Sequence, residues 1–411
     1  MKYDIIIIGG GASGLCTAIM SKNDKNSILI LEHKDRVGKK ILSTGNGKCN
    51  LTNTDCKVTL FNDNSEKIYP YFSCGDLSFA EDVINNFDAD DTIKFFNDLG
   101  IMTENKNGYI YPRSEQASSV LDILRFRCKQ KGVDVVTDYE IKKVYKKTDL
   151  FFIDNKYTCE KLVIATGGMS APKTGSDGSG YEIAKLFGHT IIKPLPALCG
   201  LKCKDKFIKE LSGVRTDALL TLYLKEKDNY KKVLASHGNI QFTDYGISGI
   251  SVFQLSSIAT RLLDDKKELM ISIDFLPDIA DDVLFKFLSG NSKNKLIGIL
   301  NKKVASVIDK EVKNKHPYVE IDADNPDYAK AFFGTIRKFE VFPVKTLGFD
   351  DAQVTSGGIC TDEINSDGLQ SKIVDNLFFA GEVIDVNGIC GGYNLQWAFS
   401  CANAVARKVV L

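Results

Sequence analysis

Three glycines, Gly9, Gly11 and Gly14, stand where the apolar run Tyr3–Ile8 gives way to Ala12–Lys22, a segment with Leu15, Ala18 and Ile19 at helical spacing. Each glycine has its own task in such a turn. Gly9 permits the sharp reversal after a strand, Gly11 lets the main chain approach a pyrophosphate, and Gly14 lets the helix pack closely on the strand. The N–H groups that open the helix, around Ala12 and Ser13, have no intrahelical partner and are free to bind phosphate oxygens. Glu32 lies 18 residues beyond Gly14, at the end of a second β-rich run, Ser27–Glu32, and its carboxylate can accept both hydroxyls of a ribose. His33 follows it, and two readings stand side by side: a ring stacked near an adenosine, or an exposed residue. Strand, glycine turn, helix, strand and acid, in that order, specify a dinucleotide site.

The later chain distinguishes FAD from NAD. Ala165-Thr166-Gly167-Gly168 ends a buried run in small residues, where the chain passes close to the cofactor. Leu377-Phe378-Phe379-Ala380-Gly381-Glu382, with Asp385 close behind, ends another. Gly391-Gly392-Tyr393-Asn394-Leu395-Gln396 then opens a helix that runs to Val410. Its first N–H groups suit the negative charge that a reduced flavin carries at N1 and the C2 carbonyl. This order and spacing point to FAD. The cluster Gly175–Gly180 follows Gly168 too closely to be an independent Rossmann unit, so no second, nicotinamide-binding domain is expected.

These segments, with Gly38–Asn53, Tyr111–Ser114 and Phe242–Gly249, resemble the BaiN-like flavoproteins, also called the YhiN-type or aminoacetone-oxidase-like family. The likeness spans essentially the whole chain. It implies an α/β fold: an FAD-binding Rossmann domain of the two-dinucleotide-binding type, an inserted β-barrel-like domain and a small helical domain. It implies FAD contacts at Gly9, Gly11, Ala12, Ser13, Gly14, Glu32, Lys40, Gly45, Asn46, Cys49, Asn50, Val136, Ala165, Thr166, Gly167, Gly381, Glu382, Gly392, Asn394, Leu395 and Gln396. It also implies hydride transfer through flavin N5, with NAD(P)H as transient donor and an activated double bond or carbonyl as acceptor. The alternatives are an amine oxidase that uses O2 and a flavin-bound sensor without turnover. Two positions depart from the family pattern: Lys48 stands where arginine is usual, and Asp244-Tyr245 replaces a threonine-histidine pair.

Elements must bring these segments together. Glu81–Leu99 and Glu115–Gln130 read as helices, and Val133–Val136, Ile141–Val144, Leu150–Ile153 and Leu162–Ala165 read as strands, the middle ones a small meander. From about Thr190 the texture changes. Strand-like runs at Ala218–Leu224 and Glu268–Phe275 flank glycine-rich turns, Asp281–Lys313 is lysine-rich and weakly helical, and Phe342–Thr346 is β-like again. The expected domains are 1–190 with 345–411 for FAD, 191–250 with 325–344 for the barrel-like insertion, and 251–324 for the helical part.

A chain of 411 residues exceeds a single ordinary core. Its 53 basic and 53 acidic side chains balance, which gives no bulk attraction to nucleic acid or anionic membrane. A small-molecule substrate is therefore the expected partner. The lysines of Lys293–Lys313 are interrupted by Leu296, Ile297, Ile299, Leu300 and Val304, the pattern of a solvated amphipathic helix. Eleven scattered cysteines without a CxxC point to free thiols, and no run approaches a signal or membrane segment, so a cytoplasmic protein is expected. Cys49 reads as a small buried residue and not a redox thiol, and no metal site is expected. Proton donors are harder to choose: His237 in a glycine turn, Tyr245, Tyr393 and, for an anionic group, Arg113 are the candidates. For Arg113 a salt bridge near Ser114 is the competing reading. His189 follows Gly188 at a helix end and reads as a cap.

Overall fold

The computed structural model describes residues 1–57, 60–61, 67–68, 70–289, 295–318 and 326–410. They form two compact units, Met1–Pro196 with Gln353–Leu411, and Ala197–Ala352.

The first unit is built on a sheet whose strands end in one row. β1 (Lys2–Ile8) lies between β2 (Ile28–Leu31) and β6 (Tyr157–Ile164), β3 (Asp134–Val136) pairs β2, and β7 (Leu377–Phe379) pairs β6, all in parallel. Across them Val136, Leu31, Ile8, Ile164 and Phe379 are successive lateral partners. Residues that follow these strands therefore emerge at one edge, although they are hundreds of positions apart in the chain. That is the edge at which open α/β sheets bind ligands. Ile5–Ile8 and Ile28–Leu31 are buried on both faces, as β-branched runs in a covered parallel sheet should be. β4 (Val144–Lys147) and β5 (Leu150–Ile153) form the antiparallel meander, joined to the start of β6.

Helices α1 (Ala12–Ser21), α2 (Ser78–Asn85), α3 (Ala89–Asp98), α4 (Ala117–Gln130), α5 (Ser179–Leu186) and α6 (Tyr393–Val409) complete this unit. The apolar spacing of Glu81–Leu99 suggests one helix; two are present. Asp88 breaks it, because its carboxylate accepts the amides of Asp90 (2.9 Å) and Asp91 (3.1 Å) while Asp91 accepts the Asp88 amide (3.2 Å). This capping box starts α3 afresh. The expected helix from Glu115 begins at Ala117, since Glu115 takes a left-handed turn (φ 50°).

The second unit holds a seven-stranded sheet in the order Phe339–Val341, Leu269–Asp274, Arg215–Glu226, Asn229–Phe242, Gly246–Ser248, Leu201–Cys203, Pro343–Thr346. Its two edge strands are consecutive in the chain, separated by Phe342, so the sheet curls toward closure. Helices Ile250–Asp264, Asp281–Leu288, Lys295–Ile299, Lys302–Lys315 and Pro326–Arg337 belong to the same unit, and Leu220, Phe242, Leu255, Leu284, Val307 and Phe332 share one core. The sequence reading separates sheet and helices; the described residues give them a common core. The lysine-rich helix Lys302–Lys315 buries Val304, Val307, Ile308 and Val312 and leaves its lysines in solvent, whereas Lys293 lies outside the described residues. No helix among the described residues is long and apolar enough to cross a membrane.

Candidate FAD site

A cavity of about 520 Å³ opens at the row of strand ends. Its floor is the turn after β1. An added Cβ at Gly9 (φ 102°) would lie 2.5 Å from the Ala165 carbonyl oxygen, and one at Gly14 would lie 2.0 Å from the Gly9 carbonyl oxygen. Both positions are closed by packing of main chain on main chain. Gly11 is the opposite case: a Cβ there would meet nothing within 4 Å, because the residue faces the cavity. Gly11 is the N-cap of α1 and no side chain caps the helix, so the amides of its first turn are unused at the cavity wall formed by Ala12 and Ser13. This is a cradle for a pyrophosphate, and it fits FAD.

Glu32 emerges beside it from β2. Its carboxylate accepts the Gly10 amide (2.9 Å) through Oε2 and the Lys34 amide (2.9 Å) through Oε1. Lone pairs remain on both oxygens for ribose hydroxyls. His33 lines the same end, 3.3 Å from Glu32 and 3.3 Å from Asp177, although its Nε2 lacks hydrogen-bond geometry. Burial pushes the Asp177 carboxyl up, but the Ser179 hydroxyl and amide outweigh it and hold the group below its ordinary value.

On the far side, Ala165, Thr166 and Gly167 follow β6, and Glu382 follows β7. Lys40 donates to Glu382 Oε2 (2.7 Å), and the Thr355 amide donates to Oε1 (2.7 Å). Gly381 (φ 81°) packs on Ser13, whose hydroxyl donates to the Ala380 carbonyl (3.2 Å). Asn394 and Leu395, in the uncapped first turn of α6, close the cavity with Thr44.

The fold thus brings Gly9, Gly11, Ala12, Ser13, Glu32, His33, Lys40, Ala165, Thr166, Gly167, Glu382, Asn394 and Leu395 onto one cavity. Other expected residues act behind it. Gly14, Gly381 and Gly392 permit close packing, and Val136 accepts the Glu32 amide (2.9 Å) through its carbonyl. In the loop after Lys40, Gly45 and Asn46 are left-handed (φ 55° and 54°) and exposed. Cys49 and Asn50 turn inward and are buried; burial pushes the Cys49 thiol up to about 11, which suits an inert residue. Gln396 is fully buried, and its amide bonds only to the protein.

Of the proton-donor candidates, Tyr393 and Arg113 belong to the first unit and do not line its cavity. His237 is not in a turn but in the middle of the strand Asn229–Phe242, opposite Leu219, in the second unit, which also holds Tyr245. The glycine beside it misleads, because Gly238 continues that strand. Tyr393 is buried against Tyr71, and desolvation pushes its phenol well up. Arg113 pairs with Glu104 on the neighbouring strand and is 64% exposed. His189 closes the end of α5 as expected, its main-chain amide donating to the Ala184 carbonyl (3.1 Å), while its ring is buried between Ser371 (2.7 Å) and Glu363 (3.2 Å).

Sequence reasoning does not place at the cavity Tyr139–Val144 and Thr174–Asp177, nor the α5 residues Ser179, Glu182, Ile183 and Leu186, nor Gln353 and Val354. Tyr139–Val144 is placed by the amides of Asp138 and Tyr139, which donate to the Lys34 and Glu32 carbonyls. The glycine cluster Gly175–Gly180 marks Thr174–Asp177, but sequence reasoning weighs it only as a separate Rossmann unit; no local motif marks Tyr139–Val144.

Comparison with known proteins agrees with this geometry. The model of the HI0933-like protein Rossmann domain matches residues 3–408. The chain is 36% identical to the 3-dehydro-bile acid delta(4,6)-reductase of Clostridium scindens, over 98% of this chain and 97% of that one. It is 29% identical to the ribosomal RNA dihydrouridine synthase of Escherichia coli, over 100% and 98% of the two chains. Among solved structures, the 3-ketosteroid-delta4-(5alpha)-dehydrogenase of Rhodococcus jostii RHA1 shares the fold, with a TM-score of 0.50, 11% identity and coverage of 100% and 97%. The chain belongs to the HI0933-like family, and its first unit is a Rossmann-type FAD-binding domain of a flavin-dependent oxidoreductase.

Proposed function

We propose that this protein is an FAD-dependent reductase that saturates a carbon–carbon double bond conjugated to a carbonyl, with NAD(P)H as the electron donor. One observation carries the reading: two uncapped helix starts, those of α1 and α6, open onto the same cavity at the row of parallel strand ends. The first suits the diphosphate of FAD, and the second suits the negative charge of its reduced ring. Glu32 would hold the AMP ribose, and the paired Lys40 and Glu382 would line the cofactor further along the cavity. When bound, FAD supplies hydride transfer at N5. The overall change is NAD(P)H plus a proton plus the double bond, giving NAD(P)⁺ and the saturated product. The donor visits and leaves, because no second nucleotide domain is expected.

The relatives support this chemical class. A 3-dehydro-bile acid with Δ4,6 unsaturation carries a conjugated enone, and dihydrouridine formation saturates the conjugated double bond of a uracil. The first favours a small polycyclic enone. The second favours a uridine in RNA, against which the balanced charge of the chain speaks. No disulfide joins cysteines among the described residues, which fits a reducing compartment such as the cytoplasm.

The test is anaerobic mixing of the FAD-loaded protein with NADH and with NADPH, followed by a Δ4-3-ketosteroid or by unmodified ribosomal RNA. Flavin bleaching by a nicotinamide, then return of colour with a steroid product heavier by two hydrogens, is expected. Return of colour with RNA alone would select the uridine reading. Bleaching by an amine with rapid reoxidation in air would select an oxidase, and no reduction by any physiological donor would leave a sensor.

A further inference from the structure

Gln396 sits in α6 between two pairs of residues that line the cavity, Asn394 with Leu395 and Trp397 with Ala398, yet its side chain turns away from it. Its Oε1 accepts the hydroxyls of Thr52 (2.6 Å) and Thr92 (2.9 Å). Its Nε2 donates to the Phe87 carbonyl (2.8 Å) and to Ser400 Oγ (2.9 Å). The Ser400 hydroxyl itself donates to the Phe87 carbonyl (2.7 Å). Both acceptor sites and both donors of the amide are thereby used. The orientation is fixed as well, because a flipped amide would set its oxygen against the Phe87 carbonyl. The Gln396 main-chain amide is committed to the Gly392 carbonyl (2.9 Å). No polar group of this residue's side chain or amide is left for a ligand.

The partners show what the residue holds. Thr92 belongs to α3, Phe87 to the turn before it, and Thr52 to the segment that runs on from the Gly45–Asn50 loop. Next to this knot Asn53 donates to the Gly391 carbonyl (3.2 Å), and a Cβ on Gly392 would lie 2.5 Å from the Thr52 carbonyl carbon. The start of α6, the loop that carries Thr44, and α3 are thus fastened at one fully buried amide. On the cavity side of the knot stand Asn394, Leu395 and Thr44.

We infer that Gln396 is a positioning residue: it fixes the first turn of α6 against the Thr44 loop, and through that turn sets how strongly the site prefers reduced over oxidised flavin. The inference rests on the reading that flavin occupies this cavity. Gln396→Met keeps the length of the side chain and removes all four hydrogen bonds. Its expected effect is a loss of that preference on the order of tenfold, which for a two-electron couple is a fall in midpoint potential of about 30 mV. Thr92→Val removes a single hydroxyl from the knot at nearly constant volume; a smaller fall of the same sign is expected, and this variant carries the test if Gln396→Met does not fold. Potentials are read by equilibration with a reference dye, alongside thermal unfolding. A folded, flavin-loaded variant with a lower Tm but an unchanged potential would overturn the inference, leaving an ordinary core glutamine. Wild-type protein that binds no flavin would instead overturn the functional reading on which it rests.

Discussion

Alanine at Gly14 and alanine at Gly11 are expected to fail in opposite ways. At Gly14 the new Cβ would lie 2.0 Å from the Gly9 carbonyl oxygen, a main-chain atom that cannot rotate aside. A carbon and an oxygen need roughly 3.3 Å, so α1 must retreat by more than an ångström from β1. Leu15 and Ala18 of that helix have no exposed surface, so the retreat disturbs a filled core. Overpacking of this kind costs about 1–3 kcal/mol, and the upper end applies to a rigid obstacle. Alanine recovers about 1 kcal/mol over glycine inside a helix. The net loss is then about 2 kcal/mol, or a fall of roughly 4–8 °C in Tm for a domain of this size. At Gly11 the φ of −79° suits alanine and the Cβ has open space. The loss of a glycine N-cap costs below about 1 kcal/mol, so the ligand-free fold should hold. The methyl group instead occupies the point at which a pyrophosphate must approach. FAD affinity is expected to fall at least about a hundredfold, equivalent to roughly 2.7 kcal/mol. Thermal unfolding of the apo-proteins and fluorescence titration with FAD separate the two effects. Gly11→Ala protein that binds FAD as tightly as wild type, or Gly14→Ala protein that melts with wild type, would refute the reasoning.

Three other outcomes follow from the geometry. Ser371 Oγ accepts the amides of Ile373 (3.0 Å) and Val374 (2.9 Å), so its hydrogen goes to His189 Nε2 and the ring is neutral with Nδ1–H toward Glu363. Desolvation lowers the His189 pKa by more than Glu363 raises it. The unfolded chain then binds the proton more readily, and the stability this ring contributes is full above about pH 6.5 and lost as pH falls through the folded value. Tm measured from pH 8 to 5 should drop more steeply in wild type than in His189→Gln; equal slopes would contradict this. Lys40→Ala leaves the half-buried Glu382 carboxylate with only the Thr355 amide, facing an anionic cofactor. FAD binding measured by titration should weaken about tenfold, and unchanged affinity would show that the pair does not serve the cofactor. Iodoacetamide at pH 8 should label the exposed Cys74 in the native protein and spare the buried Cys49; peptide mass spectrometry that finds Cys49 alkylated would refute its inert role.

The part of the cavity at the strand ends was legible because its signals are local. An apolar strand, a glycine turn and a helix start at Gly9–Ser13 describe one another, and the endings Ala165–Gly167 and Gly381–Glu382 repeat the same logic. What escaped depends on rotation and on distant contacts. The stretch Asn394-Leu395-Gln396 reads as one motif, but each helical residue turns the side chain by about 100°, which carries Gln396 off the cavity and into the core. Helical spacing hid the break at Asp88, although Asp88 and Asp91 stand at capping-box distance. Tyr139–Val144 lines the site through pairing with residues beyond β2, which no pattern within that segment announces.

The most direct test of the account is to denature the purified wild-type protein and identify what it releases. The expected result is FAD, non-covalently bound, at about one per chain, either as purified or after reconstitution. Protein that is folded and yet takes up no flavin, or that takes up FMN and not FAD, would contradict the assignment of the cavity from Gly11 to Glu32 as a dinucleotide site.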